Sequence, residues 1–211
     1  VTRQSTSTKT SLRSGCLEWF DDLGYGKHSA PPIDYNDGYF DNYLALDKTK
    51  MGVDLTAARV DFVTKYSRHK PIDIGIGGGI FCNEMNCNGF DISTESVRWL
   101  IDNNKYIDPY AARVESITCW DSLEHIPDIG ALLSQVKQWV FCSIPIFENE
   151  AHCLKSKHYK PGEHIWYFTH AGFESFMLGH GFKLYEYNNK EVVLGREGVR
   201  TYAFNRAPQN A

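Results

Sequence analysis

Apolar residues recur along this chain with two spacings, and the places where the spacing changes mark out its elements. Met51, Leu55, Ala58, Phe62 and Tyr66 fall at helical intervals and predict an amphipathic helix given over to core packing. The apolar run that starts at Pro71 then reads as a buried strand. Beyond it Ser93 stands as the cap of a helix carrying Val97, Leu100 and Ile101, and Ile117 to Trp120 forms the next clear strand. Ile129, Leu132, Leu133 and Val136 make another helical stripe, and Val140 to Ser143 another buried strand. Thr169 caps a helix with Phe173, Phe176 and Met177, which stops at Gly179 and Gly181. Phe182 to Tyr187 and Thr201 to Asn205 alternate enough to be a final antiparallel pair. This alternation of strands and helices predicts a doubly wound α/β sheet. Leu12 to Lys50 follows neither period. It is aromatic (Trp19, Phe20, Tyr25, Tyr35, Tyr39, Phe40, Tyr43) and broken by Gly, Asp and Pro, and reads as a cap across the carboxyl edge of the sheet or as an ordinary extension burying aromatics on the core.

Chemistry enters at Pro71-Ile72-Asp73-Ile74-Gly75-Ile76-Gly77-Gly78-Gly79, an apolar strand ending in D-x-G-x-G-x-G. Glycine has no Cβ, so such a loop bends sharply and lets a ligand lie against bare backbone. Asp91, about 18 positions after Asp73, closes the next strand, where a carboxylate can accept both ribose hydroxyl hydrogens. A dinucleotide fold spaces its glycines as G-x-G-x-x-G to bring a helix N-terminus to a pyrophosphate. Here an acid precedes the first glycine by two residues, which suits a cation or an amino acid better than a phosphate.

From these residues onward the chain resembles the class I S-adenosylmethionine-dependent methyltransferases, whose first motif is E/D-x-G-x-G-x-G and whose second is an acid closing the next strand. The resemblance continues through Trp120-Asp121-Ser122-Leu123-Glu124-His125-Ile126-Pro127-Asp128, Ser143-Ile144-Pro145, Glu163 to Thr169 and Gly181-Phe182, roughly residues 50 to 205. It implies a Rossmann-like, mostly parallel seven-stranded sheet over residues 51–211, with residues 1–50 as an N-terminal extension and cap. It also implies S-adenosylmethionine as cofactor, contacted by Asp73, Gly75, Gly77, Gly79, Asp91, Ile92, Trp120 and Asp121. Only Tyr106 to Glu115 remains for the strand between Asp91 and Ile117, so the family's adenine-contacting acid has no clean match. Asp108 is the nearest candidate, and Ile92 can stack on the adenine instead.

Methyl transfer to a hydroxyl needs the acceptor atom about 3 Å from the methyl carbon and a group to take its proton. The carboxyl end of the fourth strand puts Glu124 and His125 nearest that point, and His164 can enter from the Glu163-His164 block. In the ubiquinone-type O-methyltransferases, which the D-x-x-E-H spacing resembles, the matching acid, glutamate and histidine can bind a divalent cation. Many related enzymes use no metal and let the Glu and His hydrogen-bond the following loop, so no metal ligand is assigned and a divalent cation is carried as the lesser alternative.

Composition narrows the picture without deciding it. The hydrophobic and charged fractions, 42% and 23%, are those of a globular domain, and 211 residues suffice for one core. No apolar run approaches the ~18 residues of a membrane span, and residues 1–14 have no apolar signal core; a cytoplasmic protein is expected. The six cysteines form no C-x-x-C pair and read as reduced core thiols. A net charge of −4 argues against a grip on duplex nucleic acid through phosphates. Lys155, Lys157, His158 and Lys160 are a local exception, either a solvated loop or the wall of a site for an anionic substrate. Neither the N/D/S-P-P-Y/F tetrapeptide of amino-directed DNA methyltransferases nor a Pro-Cys nucleophile occurs at the expected places. Trp166, Tyr167 and Phe168 are candidates for an outer pocket wall. The reading is therefore an S-adenosylmethionine-dependent methyltransferase acting at oxygen on a small molecule, an anionic one if the lysine segment walls the site. Nucleotide or nucleic-acid modification, and a cofactor-binding protein without catalysis, are the alternatives; oligomeric state stays unassigned.

Overall fold

The computed structural model describes residues 17–29 and 38–208. Tyr35, Cys16 and residues 1–14, on which parts of the sequence reading fall, lie outside them. A hairpin, β1 (Leu17–Phe20) and β2 (Tyr25–His28), is followed by helices α1 (Tyr39–Asp47) and α2 (Lys50–Tyr66). The alternating part then runs β3 (Ile72–Ile74), α3 (Ile80–Glu84), β4 (Asn88–Phe90), α4 (Thr94–Asp102), β5 (Val114–Trp120), a short 3-10 turn (Leu123–His125), α5 (Ile129–Gln135) and β6 (Val136–Phe147). The chain closes with α6 (Glu150–Lys155), β7 (Trp166–Thr169), α7 (His170–Gly179), β8 (Phe182–Asn188), α8 (Lys190–Val193) and β9 (Val199–Arg206).

The strands form one sheet in the order β1-β2-β7-β6-β5-β3-β4, with β9 beside β6 and β8 outside β9. β4, β3, β5, β6 and β7 are joined by parallel pairs, as connections through helices require. The 12-residue β6 makes this arrangement work. Val136 to Ser143 pair with β5, Trp139 to Pro145 pair antiparallel with β9, and Ile146 and Phe147 run on to pair with β7. The doubly wound sheet expected with seven strands is thus realised with nine, because β7 and the hairpin extend it past the end of β6. Where the strand between Tyr106 and Glu115 was expected there is a single parallel bridge, Gly89 to Tyr106. Asp108 Oδ1 instead accepts the Tyr110 N–H at 2.8 Å, a local turn that Pro109, lacking an N–H, cannot convert into ladder bonds.

Period-two alternation sorts the strands onto two cores. Ile117, Cys119, Val140, Cys142 and Ile144 face α5 and α7, where Leu132, Leu133, Phe173 and Met177 meet them. Trp120, Trp139 and Phe141 face the opposite side, with Phe62 and Val63 of α2, Phe81 of α3 and Leu100 of α4. Cys82, Cys87, Cys119, Cys142 and Cys153 are buried free thiols. Trp166, Tyr167 and Phe168 are core residues of β7 and line no part of the cavity described below. Among the described residues no helix is long and apolar enough to cross a membrane.

The hairpin is seated by a close backbone approach. A Cβ on Gly172, in the first turn of α7, would lie 2.0 Å from the Gly24 carbonyl oxygen, which accepts the Thr169 N–H at 2.8 Å. Gly172→Ala must push the hairpin turn away, and should cost about 1–3 kcal/mol as overpacking does. Gly179→Ala, with open space around its Cβ, is the control. Thermal unfolding should show a fall of about 2–4 °C per kcal/mol for the first and no loss for the second; equal melting temperatures would contradict the seating.

Candidate functional site

The glycine loop leaves the sheet at the carboxyl end of β3. Gly75 and Gly77 have φ of 75° and 56°, a left-handed conformation that side chains rarely adopt. A Cβ on Gly75 would also meet Ser122 Cβ at 2.7 Å, so the ends of β3 and β5 approach closely there, and Ser122 Oγ donates to the Ile74 carbonyl at 2.5 Å. Asp73 is buried beneath the loop; its Oδ1 accepts from Thr118 Oγ1 at 2.7 Å. Burial raises its pKa to about 7 against the opposing Thr118 bond. Asp91 ties the loop to the next element: Oδ2 accepts the Ile76 N–H at 2.9 Å and Oδ1 the Ser93 N–H at 2.8 Å. The Ile92 N–H and the Ser96 hydroxyl also act on this carboxylate, opposing the rise in pKa that its burial causes.

Above this loop lies a cavity of about 380 Å³. Asp73, Gly75, Gly77, Asp91, Ile92, Trp120, Asp121 and His125 all line it, whereas Gly79 sits at the head of α3 against Trp99, off the cavity wall. Phe90, Ile92 and Tyr110 form an apolar group beside Asp91, with Ile92 71% exposed at the rim. Asp108, bonded to its own loop, is not among the lining residues. The roof is α1: Tyr39, Tyr43, Leu46 and Asp47 line the cavity, and Tyr43 packs over Gly77. Asp47 lies close against Gly78; burial pushes its pKa up, while the backbone N–H groups of Ile80 and Gly78 and the Arg59 charge oppose the rise.

The helix α2, read from sequence as core packing alone, supplies Met51, Gly52, Leu55, Thr56 and Arg59 to the cavity. Arg59 Nη2 donates to Asp121 Oδ2 at 2.9 Å and its Nε to Glu191 Oε1 at 2.8 Å. Arg196 Nη1 donates to Asp121 Oδ2 and, at 2.8 Å, to Glu191 Oε2. Burial pushes Asp121 upward, but the charges of Arg196 and Arg59 overcome it and hold the carboxyl below its ordinary range. Asp121 has a left-handed φ of 55°, a conformation that costs a non-glycine residue free energy and that the two arginines help to hold. Two buried polar atoms here, Trp120 Nε1 and Asp121 Oδ1, have no partner among the described residues.

Glu124, His125 and His164 lie together, and of the three only His125 lines the cavity. The rings of His125 and His164 stand edge to face, 4.7 Å apart. His125 Nδ1 lies 2.8 Å from the Glu163 carbonyl oxygen, which only accepts, so Nδ1 carries the proton and Nε2 a lone pair. Burial lowers the pKa of His125 and, with the neighbouring His125 ring adding to it, that of His164 to about 3. Burial, then the Asp121 charge, raises Glu124 well above its ordinary value.

Asp121 does not join Glu124 and His125 in a cation site: its charge is paired with two arginines at Oδ2, and it is not among the donors that converge. The donors that do converge are those of Glu124, His125 and His164, all within 4.8 Å of one another, with Glu124 Oε2 buried and unpartnered. One carboxylate and two imidazoles suit manganese, iron or zinc better than magnesium.

The basic segment is not part of the site. Lys157 pairs with Glu197 at 3.3 Å, Lys160 with Glu163 at 2.8 Å, and His158 Nε2 meets the Glu197 carbonyl oxygen at 2.8 Å. No residue from Ala151 to His164 lines the cavity. Arg59, Glu191 and Arg196 are the residues that sequence reasoning missed. Arg59 had a signal, since it lies four residues after Leu55 and four before Val63, on the buried side of α2; Arg196, in a loop, had none.

Comparison with known proteins agrees with this layout. The magnesium protoporphyrin IX methyltransferase of Synechocystis PCC 6803, solved with S-adenosylhomocysteine, superposes with a TM-score of 0.57 at 14% identity, over 82% of this chain and 96% of that one. The 1,6-didemethyltoxoflavin-N1-methyltransferase of Burkholderia thailandensis does so with a TM-score of 0.54 at 10% identity, over 92% of this chain and all (100%) of that one. At such identities the likeness is one of fold. No curated protein matches the sequence. Residues 48–187, from the start of α2 into β8, match the methyltransferase-domain family, and the chain belongs to that family.

Proposed function

We propose that this protein transfers the methyl group of S-adenosylmethionine to an oxygen of a small molecule, with His125 as the base. The observation that carries the reading is His125 itself: neutral, cavity-facing, with Nδ1 held by the Glu163 carbonyl and Nε2 left free.

Asp91 would accept from the ribose hydroxyls, and Phe90, Ile92 and Tyr110 would give the adenine an apolar wall to lie against. The glycine loop lets the ribose and methionine chain lie on backbone, and Arg59, over the Trp120 ring at 5.0 Å, faces the methionine carboxylate. Bound S-adenosylmethionine would supply the methyl group, its sulfur leaving as the thioether. His125, on the cavity wall, would hold the acceptor hydroxyl and take its proton at Nε2 as the oxygen is methylated. Glu124 and His164 stand behind His125 and hold its ring; His164 touches no reacting atom in this reading.

Three measurements test this. Asp91→Ala removes charge-assisted bonds of about 1.5–3 kcal/mol each, so calorimetry should show S-adenosylmethionine binding about ten- to a hundredfold weaker or worse; unchanged affinity would remove Asp91 from the cofactor site. His125→Ala should lower turnover by about 10²- to 10⁴-fold while cofactor affinity holds, measured as transfer of labelled methyl into a metabolite extract. Because burial lowers the His125 pKa, the base is unprotonated above it: wild-type rate should climb with pH below the ordinary imidazole value of about 6.5 and be flat above it. A rate that rises only above neutrality contradicts this base, and label recovered on nitrogen contradicts the oxygen acceptor.

The converging donors of Glu124, His125 and His164 favour one second reading, a cation that polarises the acceptor oxygen in place of the base. Activity should persist in excess chelator if His125 is the base. Loss of activity that manganese or zinc restores would establish the cation instead.

A further inference from the structure

Once the cofactor is seated, the polar atoms left over at the far end of the cavity describe the acceptor. Arg196 commits only Nη1 to its two carboxylate partners; its Nε and Nη2 have no hydrogen bond among the described residues, and its side chain is 24% exposed and lines the cavity. That Nε–Nη2 edge presents two parallel N–H groups, the geometry that matches both oxygens of a carboxylate. Asp121 Oδ1 is the reverse case, a buried acceptor with no donor. Glu191 is fully used, because both of its oxygens already accept from the arginines.

The two arginines serve different ends. Arg59 acts electrostatically on Asp73 and Asp47, under and over the glycine loop. Arg196 acts on Glu124, next to His125. Its neighbour Gly195 lies beside Met51, and Met51, Leu46 and Tyr43 form an apolar, partly exposed rim, 45%, 56% and 36% exposed.

We propose that the acceptor is an amphipathic hydroxy- or amino-acid, its carboxylate on the Nε–Nη2 edge of Arg196, a hydroxyl or amino hydrogen given to Asp121 Oδ1, and its apolar body against Tyr43, Leu46 and Met51. This deepens the reading in which the acceptor lies beside His125, and rests on it. The anionic substrate suggested by the lysine segment is thereby moved to a charge inside the cavity. The four charges of Arg59, Asp121, Arg196 and Glu191 cancel, so selectivity comes from directed hydrogen bonds at short range, with little dependence on salt.

The test uses the protein saturated with S-adenosylhomocysteine and two matched pairs of probes, 4-hydroxybenzoate against 4-hydroxybenzamide and 3-phenyllactate against 3-phenyllactamide, in titration calorimetry. At least one acid should bind about ten- to a hundredfold more tightly than its amide. Arg196→Gln should abolish that difference, and Arg196→Lys, which keeps the charge without the fork, should retain only part of it, both with S-adenosylhomocysteine affinity unchanged. The Lys variant and the retained cofactor affinity guard against simple misfolding. Acid and amide binding alike, or neither binding, overturns the proposal, as does a preference for acid that survives in Arg196→Gln. His125→Ala should leave the acid preference intact, so failure of the base and failure of the carboxylate site are told apart.

Discussion

Two carboxylates clasped between two arginines fix one wall of the cavity. The cluster draws Arg59 from α2, Asp121 from the end of β5, Ser143 from β6 and Arg196 and Glu191 from the run between β8 and β9 to one point. Removing one partner from such a buried set leaves an uncompensated charge and costs about 3–5 kcal/mol, whereas replacing the whole set by apolar groups is often neutral. Its contribution is therefore geometric. It holds a positive-φ aspartate at a strand end, on the wall of a cavity.

The sheet was legible because period two and period 3.6 are local properties of the sequence, and tertiary packing only confirms them. Ile117, Cys119, Val140 and Cys142 are apolar for the same reason that their strands are central. The hairpin and α1 were not legible. Four-residue strands such as Leu17–Phe20 are too short to display a period, and they are strands because β7 offers them an edge. The run after Tyr106 has the opposite fate: Pro109 and the Asp108 turn leave one bridge where relatives of this architecture place a strand.

The two halves of the candidate site were unequally readable for a related reason. Asp73, the glycines and Asp91 lie at consecutive strand ends, so sequence order alone brings them together. Glu191 and Arg196 meet Arg59 across more than half the chain, and each looks like an ordinary surface charge among its sequence neighbours. The lysine segment, left open between a solvated loop and the wall of a site, shows the opposite difficulty. Its charges were counted without Glu197, which is distant in sequence and supplies the counter-charge to Lys157. Charge read along a chain measures composition; charge felt by a ligand depends on which pairs close.

The close packing of Leu44 and Asp47 on Gly78 makes the roof of the cavity an extension of its floor. Any ligand that favours the present shape of the glycine turn lends the same free energy to α1, and anything that pulls α1 away weakens that ligand by an equal factor, as linkage demands. Helix α1 is thus also a gauge of what the cavity holds, and a molecule approaching over Tyr39 and Tyr43 would meet a different doorway before and after the cavity is filled.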